Sequence, residues 1–200
     1  KDIYNSEDRP FVDEASDMLF QSFMSNDAIH VEVDSESVYN VCFNKDGSEV
    51  VTCGKGLNFW DMTSWRVKEH IPCAELLYYA CFSSDGNKIA GVNHYNVYVF
   101  DLVEHTTVRL NRGACWYEDA KFSPDDKLLA CIVFQNEIVL LDAQTCEGVN
   151  RLVGHTAPVS CLAFSPDGTK LFSGSNDETF RIWDVVTGEC LAIDKHQRKQ

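Results

Sequence analysis

The chain has 200 residues, with 31 acidic side chains against 17 lysines and arginines and a net charge of −14. That balance disfavours association with nucleic-acid phosphates. The 44% apolar content suits a globular protein of one or two domains, and with no 18-residue apolar stretch and no signal-peptide pattern, the expected setting is cytoplasmic or nuclear, away from membranes.

Residues 1–36 hold ten of the acids against Lys1 and Arg9. Within an acidic extension at 1–29, Phe11, Ala15, Met18, Leu19 and Phe23 share one helical face. Pro10 suits the first turn, and Asp13 and Glu14 suit the positive helix N-terminus. The spacing predicts an amphipathic helix, either capping the edge of the following domain or binding a partner.

From residue 30 a repeat takes over. Phe43, Phe82, Phe122 and Phe164 recur at intervals of 39, 40 and 42 residues, each closing a short apolar run. A turn follows each: Asn44-Lys45-Asp46-Gly47, Ser83-Ser84-Asp85-Gly86, Ser123-Pro124-Asp125-Asp126 and Ser165-Pro166-Asp167-Gly168. Two further runs follow, the second ending at Asp61, Asp101, Asp142 or Asp184. A fourth run comes next, at Arg66–His70, Thr106–Leu110, Gly148–Leu152 or Cys190–Ile193. A period near 40 with such punctuation marks a repeat of short antiparallel strands. The copies cover about 37–72, 73–113, 114–154 and 155–196, and a polar tail occupies 197–200.

The last copy, from Gly154-His155 to Trp183-Asp184 with runs at Val159–Phe164, Lys170–Gly174 and Thr179–Trp183, resembles one WD repeat, the unit of the WD-repeat (WD40) β-propellers. The resemblance implies an all-β fold of about four blades. It also implies that each fourth run joins the outer edge of the neighbouring blade. Lys195-His196 looks like the start of a fifth copy, so the expected architecture is an open partial ring from a longer propeller. Exposed blade flanks would then permit self-association.

In that copy His155, Ser173, Asp177 and Trp183 match the family's structural tetrad, which implies one hydrogen-bonded chain. A Ser-His-Asp set also suggests a hydrolase, but no G-x-S-x-G surrounds Ser173, so no catalytic residue is expected. Counting back from the phenylalanine puts Asp34, Cys73 and Gly113 at the histidine position of the other copies. The hydroxyl position holds Thr52, Gly91 and Cys131, so only Thr52 and Trp60 remain in the first copy.

The family's binding surface implies contacts four residues before each phenylalanine, at Tyr39, Tyr78, Glu118 and Ser160, and beside the second turn, at Asn93, Phe134 and Asn176. These either meet a protein or peptide partner or pack between blades. Neither Trp60-Asp61-Met62-Thr63 nor Trp183-Asp184-Val185-Val186 carries the arginine of the W-D-x-R motif that docks ubiquitin-ligase adaptors. The nine cysteines form no C-x-x-C and are odd in number, so free structural thiols are expected, with no metal site and no cofactor. The function implied is a scaffold for protein–protein interaction. The alternatives are the non-catalytic propeller of a larger enzyme or of a cytoskeleton-associated protein.

Overall fold

A computed structural model describes residues 38–111, 117–134 and 136–195. The helix expected within 1–29 and the tail at 197–200 lie outside the described residues. All described regular elements are strands. They are β1 (Asn40–Phe43), β2 (Glu49–Cys53), β3 (Gly56–Asp61), β4 (Arg66–Pro72), β5 (Tyr79–Phe82), β6 (Lys88–Val92), β7 (Asn96–Asp101) and β8 (Thr106–Asn111). They continue as β9 (Tyr117–Phe122), β10 (Leu128–Val133), β11 (Glu137–Asp142), β12 (Gly148–Val153), β13 (Val159–Phe164), β14 (Lys170–Ser175), β15 (Thr179–Asp184) and β16 (Cys190–Lys195). They form four antiparallel sheets of four consecutive strands each. The fourth run of each copy therefore closes its own sheet, not the neighbour's. A short Asp-started turn brings it straight back onto the third strand.

Two aspartates per copy set the hairpins. In the first turn of the fourth copy the Ser165 hydroxyl donates to Asp167 (2.5 Å), and the Thr169 and Lys170 N–H groups donate to Asp167 (3.0 Å) and Ser165 Oγ (3.0 Å). Gly168 then turns with φ 71°. The third copy has Asp126 where the others have glycine, at φ 58°. Its carboxylate accepts the Ser84 and Asp85 N–H groups of the preceding sheet at 2.6 and 2.9 Å, so this turn tethers two sheets. The second aspartate closes each third strand: Asp61, Asp101, Asp142 and Asp184 each accept N–H groups two and three residues on, at 2.6–3.0 Å. The fifth residue of each turn has positive φ: Trp65 54°, His105 52°, Cys146 58° and Gly188 75°. Only the fourth copy places glycine there.

Alternation along the strands gives each sheet two apolar faces. Val51, Cys53, Leu57 and Phe59 of the first sheet pack with Leu77, Ile89, Tyr98 and Phe100 of the second. Cys81, Ala90, Val92 and Val99 of the second meet Ala120, Leu129, Cys131 and Leu141 of the third. Ala130, Ile132, Ile138 and Leu140 of the third meet Leu162, Leu171 and Trp183 of the fourth. The first strands of successive sheets touch in turn, β1 with β5, β5 with β9 and β9 with β13. The fourth sheet's other face is open, with Phe172 stacked on the exposed Phe180, and Leu191 and Ile193 of the last strand are exposed as well.

Candidate functional site

One end of every sheet gathers the approach to the first strand and the turn between second and third strands, because Asn40 pairs with Cys53 and Tyr79 with Val92. His155 precedes β13 at this end and reaches under the turn after β14. Its Nδ1 lies 2.9 Å from Asp177 Oδ2 and its Nε2 lies 2.8 Å from Ser173 Oγ. Trp183 Nε1 donates to Ser173 Oγ at 2.8 Å. An ionised carboxylate only accepts, so Nδ1 carries the proton, Nε2 accepts from the serine, and the serine oxygen accepts from the indole. Burial opposes ionisation of Asp177. Hydrogen bonds from the Thr179 hydroxyl, the Thr156 N–H and His155 outweigh it and hold the carboxyl well below the usual range. Gly154 lets the chain pass close to the network: a Cβ there would fall 2.2 Å from the Arg181 guanidinium, which would have to swing aside, and 3.1 Å from the Trp183 ring. Ser173 and His155 are buried and spend their polar atoms on each other and on Trp183 and Asp177. The serine oxygen is buried and both donates and accepts inside this network.

The first sheet keeps one link of this chain, Trp60 Nε1 donating to Thr52 at 2.9 Å. The second sheet uses other residues. Counting back from Phe82 points to Cys73, but the side chain that reaches the turn is Glu75. Its carboxylate accepts from Asn93 Nδ2 (2.9 Å), from Asn96 Nδ2 and from Arg109 (3.2 Å). Arg109 Nε also donates to Asn96 Oδ1 at 2.9 Å. Gly91 takes the serine's place because a Cβ there would meet Leu77 at 3.0 Å and Phe100 at 3.3 Å. In the third sheet Cys131 is buried among apolar side chains. Asp34 and Gly113 lie outside the described residues.

The partner-contact residues separate into distinct groups. Tyr39 is 46% exposed and meets Tyr78 edge-on with ring centroids 4.8 Å apart. Tyr78 continues to His94 at 4.5 Å, and His94 to the 52%-exposed Tyr95 at 6.4 Å. Four aromatic rings thus form one row across the first two sheets. His94 and Tyr95 carry no motif and become visible only through this stacking. Phe134 and Asn176 are exposed on the same end, as is Ser160, whose hydroxyl donates to the Gly174 carbonyl. Glu118 lies in β9 with its side chain outside the described residues. Asn93 departs from expectation. It is buried, and its Oδ1 accepts the Tyr95 and Asn96 N–H groups, so it builds the turn and is not open to a partner.

Each of the eight described cysteines is free. Burial pushes the Cys42 and Cys81 thiols up to about 12 and those of Cys53 and Cys146 up to about 11. They remain protonated at neutral pH and act as packing groups, Cys53 donating to the Leu77 carbonyl and Cys81 to that of Ala120. Among the described residues no side-chain cluster fits a metal ion, and no helix is long and apolar enough to cross a membrane.

The family described as WD domain, G-beta repeat (WD40) matches residues 146–184. The chain is 32% identical over 174 residues to Transcription factor unc-37 of Caenorhabditis elegans, covering 78% of this chain and 28% of the relative. It is 30% identical over 116 residues to COMPASS component SWD3 of Saccharomyces cerevisiae, covering 56% and 36%. To Transducin-like enhancer protein 2 of Mus musculus it is 28% identical over 179 residues, covering 82% and 23%. The chain therefore spans about a quarter to a third of these relatives. With four copies of one motif folded as four successive four-stranded sheets, and the best-formed copy matched by the family itself, the chain belongs to the WD-repeat family of β-propeller proteins.

Proposed function

We propose that this chain is the non-catalytic, interaction-bearing part of a WD-repeat scaffold, with residues 30–196 acting as one propeller segment. The aromatic row Tyr39–Tyr78–His94–Tyr95 carries the reading. Aromatic rings exposed side by side offer apolar area together with polar tips, the pattern of binding hot spots. Phe134, Ser160 and Asn176 extend the surface on the same end. The relatives named as a transcription factor and as a component of COMPASS support a role in assembling proteins, and a protein or peptide partner follows. The burial of Ser173 supports a non-enzymatic reading. Free, protonated thiols favour a reducing compartment, cytoplasm or nucleus.

The test is site-specific photo-crosslinking in cells. A photoreactive phenylalanine at Tyr39 or Tyr95 is expected to give discrete protein adducts, and one at the exposed Val103, on the opposite end, is not. Tyr39→Ala with Tyr78→Ala should abolish the Tyr95 adducts while leaving the melting temperature within a few degrees of wild type. Adducts equal at Val103, or loss that tracks unfolding, would show the row to be packing.

A further inference from the structure

On the outer edge between the first and second sheets, at the end opposite the aromatic row, lies a cavity of about 250 Å³. Phe59, Ile71, Phe100 and Leu102 give it apolar walls, and Glu49 and Glu69 bring carboxylates to it. Apolar walls beneath a carboxylate rim match the two halves of a lysine or arginine side chain, an aliphatic stem and a charged head.

Among the four copies Glu49 is the one acid at its register position. In the second and fourth sheets the strand-opening residue facing the turn aspartate is a lysine, Lys88 opposite Asp101 and Lys170 opposite Asp184. The third sheet has Leu128 opposite Asp142. Only the first sheet sets acid against acid, Glu49 opposite Asp61, and directly opposed like charges destabilise a sheet. The chain's own Lys68 answers with an ammonium 2.8 Å from Glu49, so the rim already holds one cation on its outer side. A further carboxylate, Glu69, flanks the apolar walls, and the net charge of −14 favours a basic partner.

We propose that this inter-sheet groove is a second docking site, which takes a lysine or arginine side chain from a basic segment of a protein partner. The stem lies against Phe59 and Phe100 and the cation meets Glu49 and Glu69. The site is separate from the aromatic row, so either can fail without the other.

The experiment is an NMR titration of the full chain with N-acetyl-arginine methylamide and N-acetyl-lysine methylamide, against the neutral N-acetyl-norleucine methylamide. The cationic probes are expected to give saturable shifts confined to the amides of β4 and residues 101–107. Raising salt from about 50 to about 500 mM should weaken them. Glu49→Lys, which restores the pairing of the second and fourth sheets, and Glu69→Gln should each weaken apparent affinity by about fivefold while leaving the amide spectrum dispersed. Equal response to the norleucine probe, shifts scattered over the surface, or affinity unchanged in both variants would overturn the proposal.

Discussion

In the fourth sheet the turn after β14 is held from below by His155, buried between Ser173 and Asp177. In the second sheet the turn after β6 is held by Glu75, whose carboxylate pairs at the surface with Arg109. The Glu75 and Arg109 side chains are 38% and 44% exposed, against 1% and 6% for His155 and Asp177. Both arrangements tie a turn to the strands beneath. In the fourth sheet each donor and acceptor depends on the next in water-poor surroundings, where an unmade hydrogen bond is costly. In the second, Leu77 and Phe100 fill the interior, Asn93 and Asn96 are buried, and the Glu75–Arg109 pair sits where water can reach it. Loss of one WD signature is therefore not loss of the sheet, because apolar packing takes over the interior.

The sharpest way to break the comparison is Ser173→Val. It leaves the Trp183 N–H and His155 Nε2 without partners, at about 1–3 kcal/mol each. A urea melt should show a loss of roughly 2–6 kcal/mol. No measurable change would mean the four residues are neighbours without mutual dependence.

Acid should find the same sheet. Asp177 has a folded pKa depressed below its unfolded value. Its contribution is complete above about pH 4, the ordinary aspartate range, and is lost as pH falls through the folded value. Asp167, held at about 2 first by the Ser165 hydroxyl, contributes in the same direction between about pH 4 and about pH 2. Stability measured from pH 6 to pH 2 should fall less steeply in Asp177→Asn than in wild type. Parallel curves would remove Asp177 from the account.

Cys131→Ser places in the third sheet the residue the fourth sheet requires. The positions matching His155 and Trp183 hold Gly113 and Leu141, so the hydroxyl should cost about 1–3 kcal/mol by thermal melting. A stabilised variant would show an acceptor network in the third sheet too.

Trp60→Phe removes the Trp60–Thr52 link of the first sheet, at about 1 kcal/mol in a thermal melt. Smallest is Glu75→Gln. An exposed ion pair is worth about 1 kcal/mol or less, and the difference from wild type should shrink as salt rises. A loss equal to that of Ser173→Val would erase the distinction between the two sheets.

Short-range geometry explains what could be read directly from residue order. The number of sheets, the four aspartate turns and the set His155, Ser173, Asp177 and Trp183 follow from spacings within one copy. A turn or hairpin is decided by residues two to twenty apart. What escaped reading lies between copies or depends on which way a loop runs. Glu75 was hidden behind Cys73 because the loop before β5 shifts the count. Asn93 looked like a contact residue until its side chain proved to be building its own turn. Asp126 broke the glycine pattern because its carboxylate serves the neighbouring sheet. His94 and Tyr95 meet Tyr78 through the loops of the second sheet itself, whereas Tyr39 meets Tyr78, and Glu69 shares a cavity with Asp101, only where adjacent sheets pack together. Such pairings join side chains from different copies, and local propensity carries no record of them. The shape and charge of the facing sheet select them.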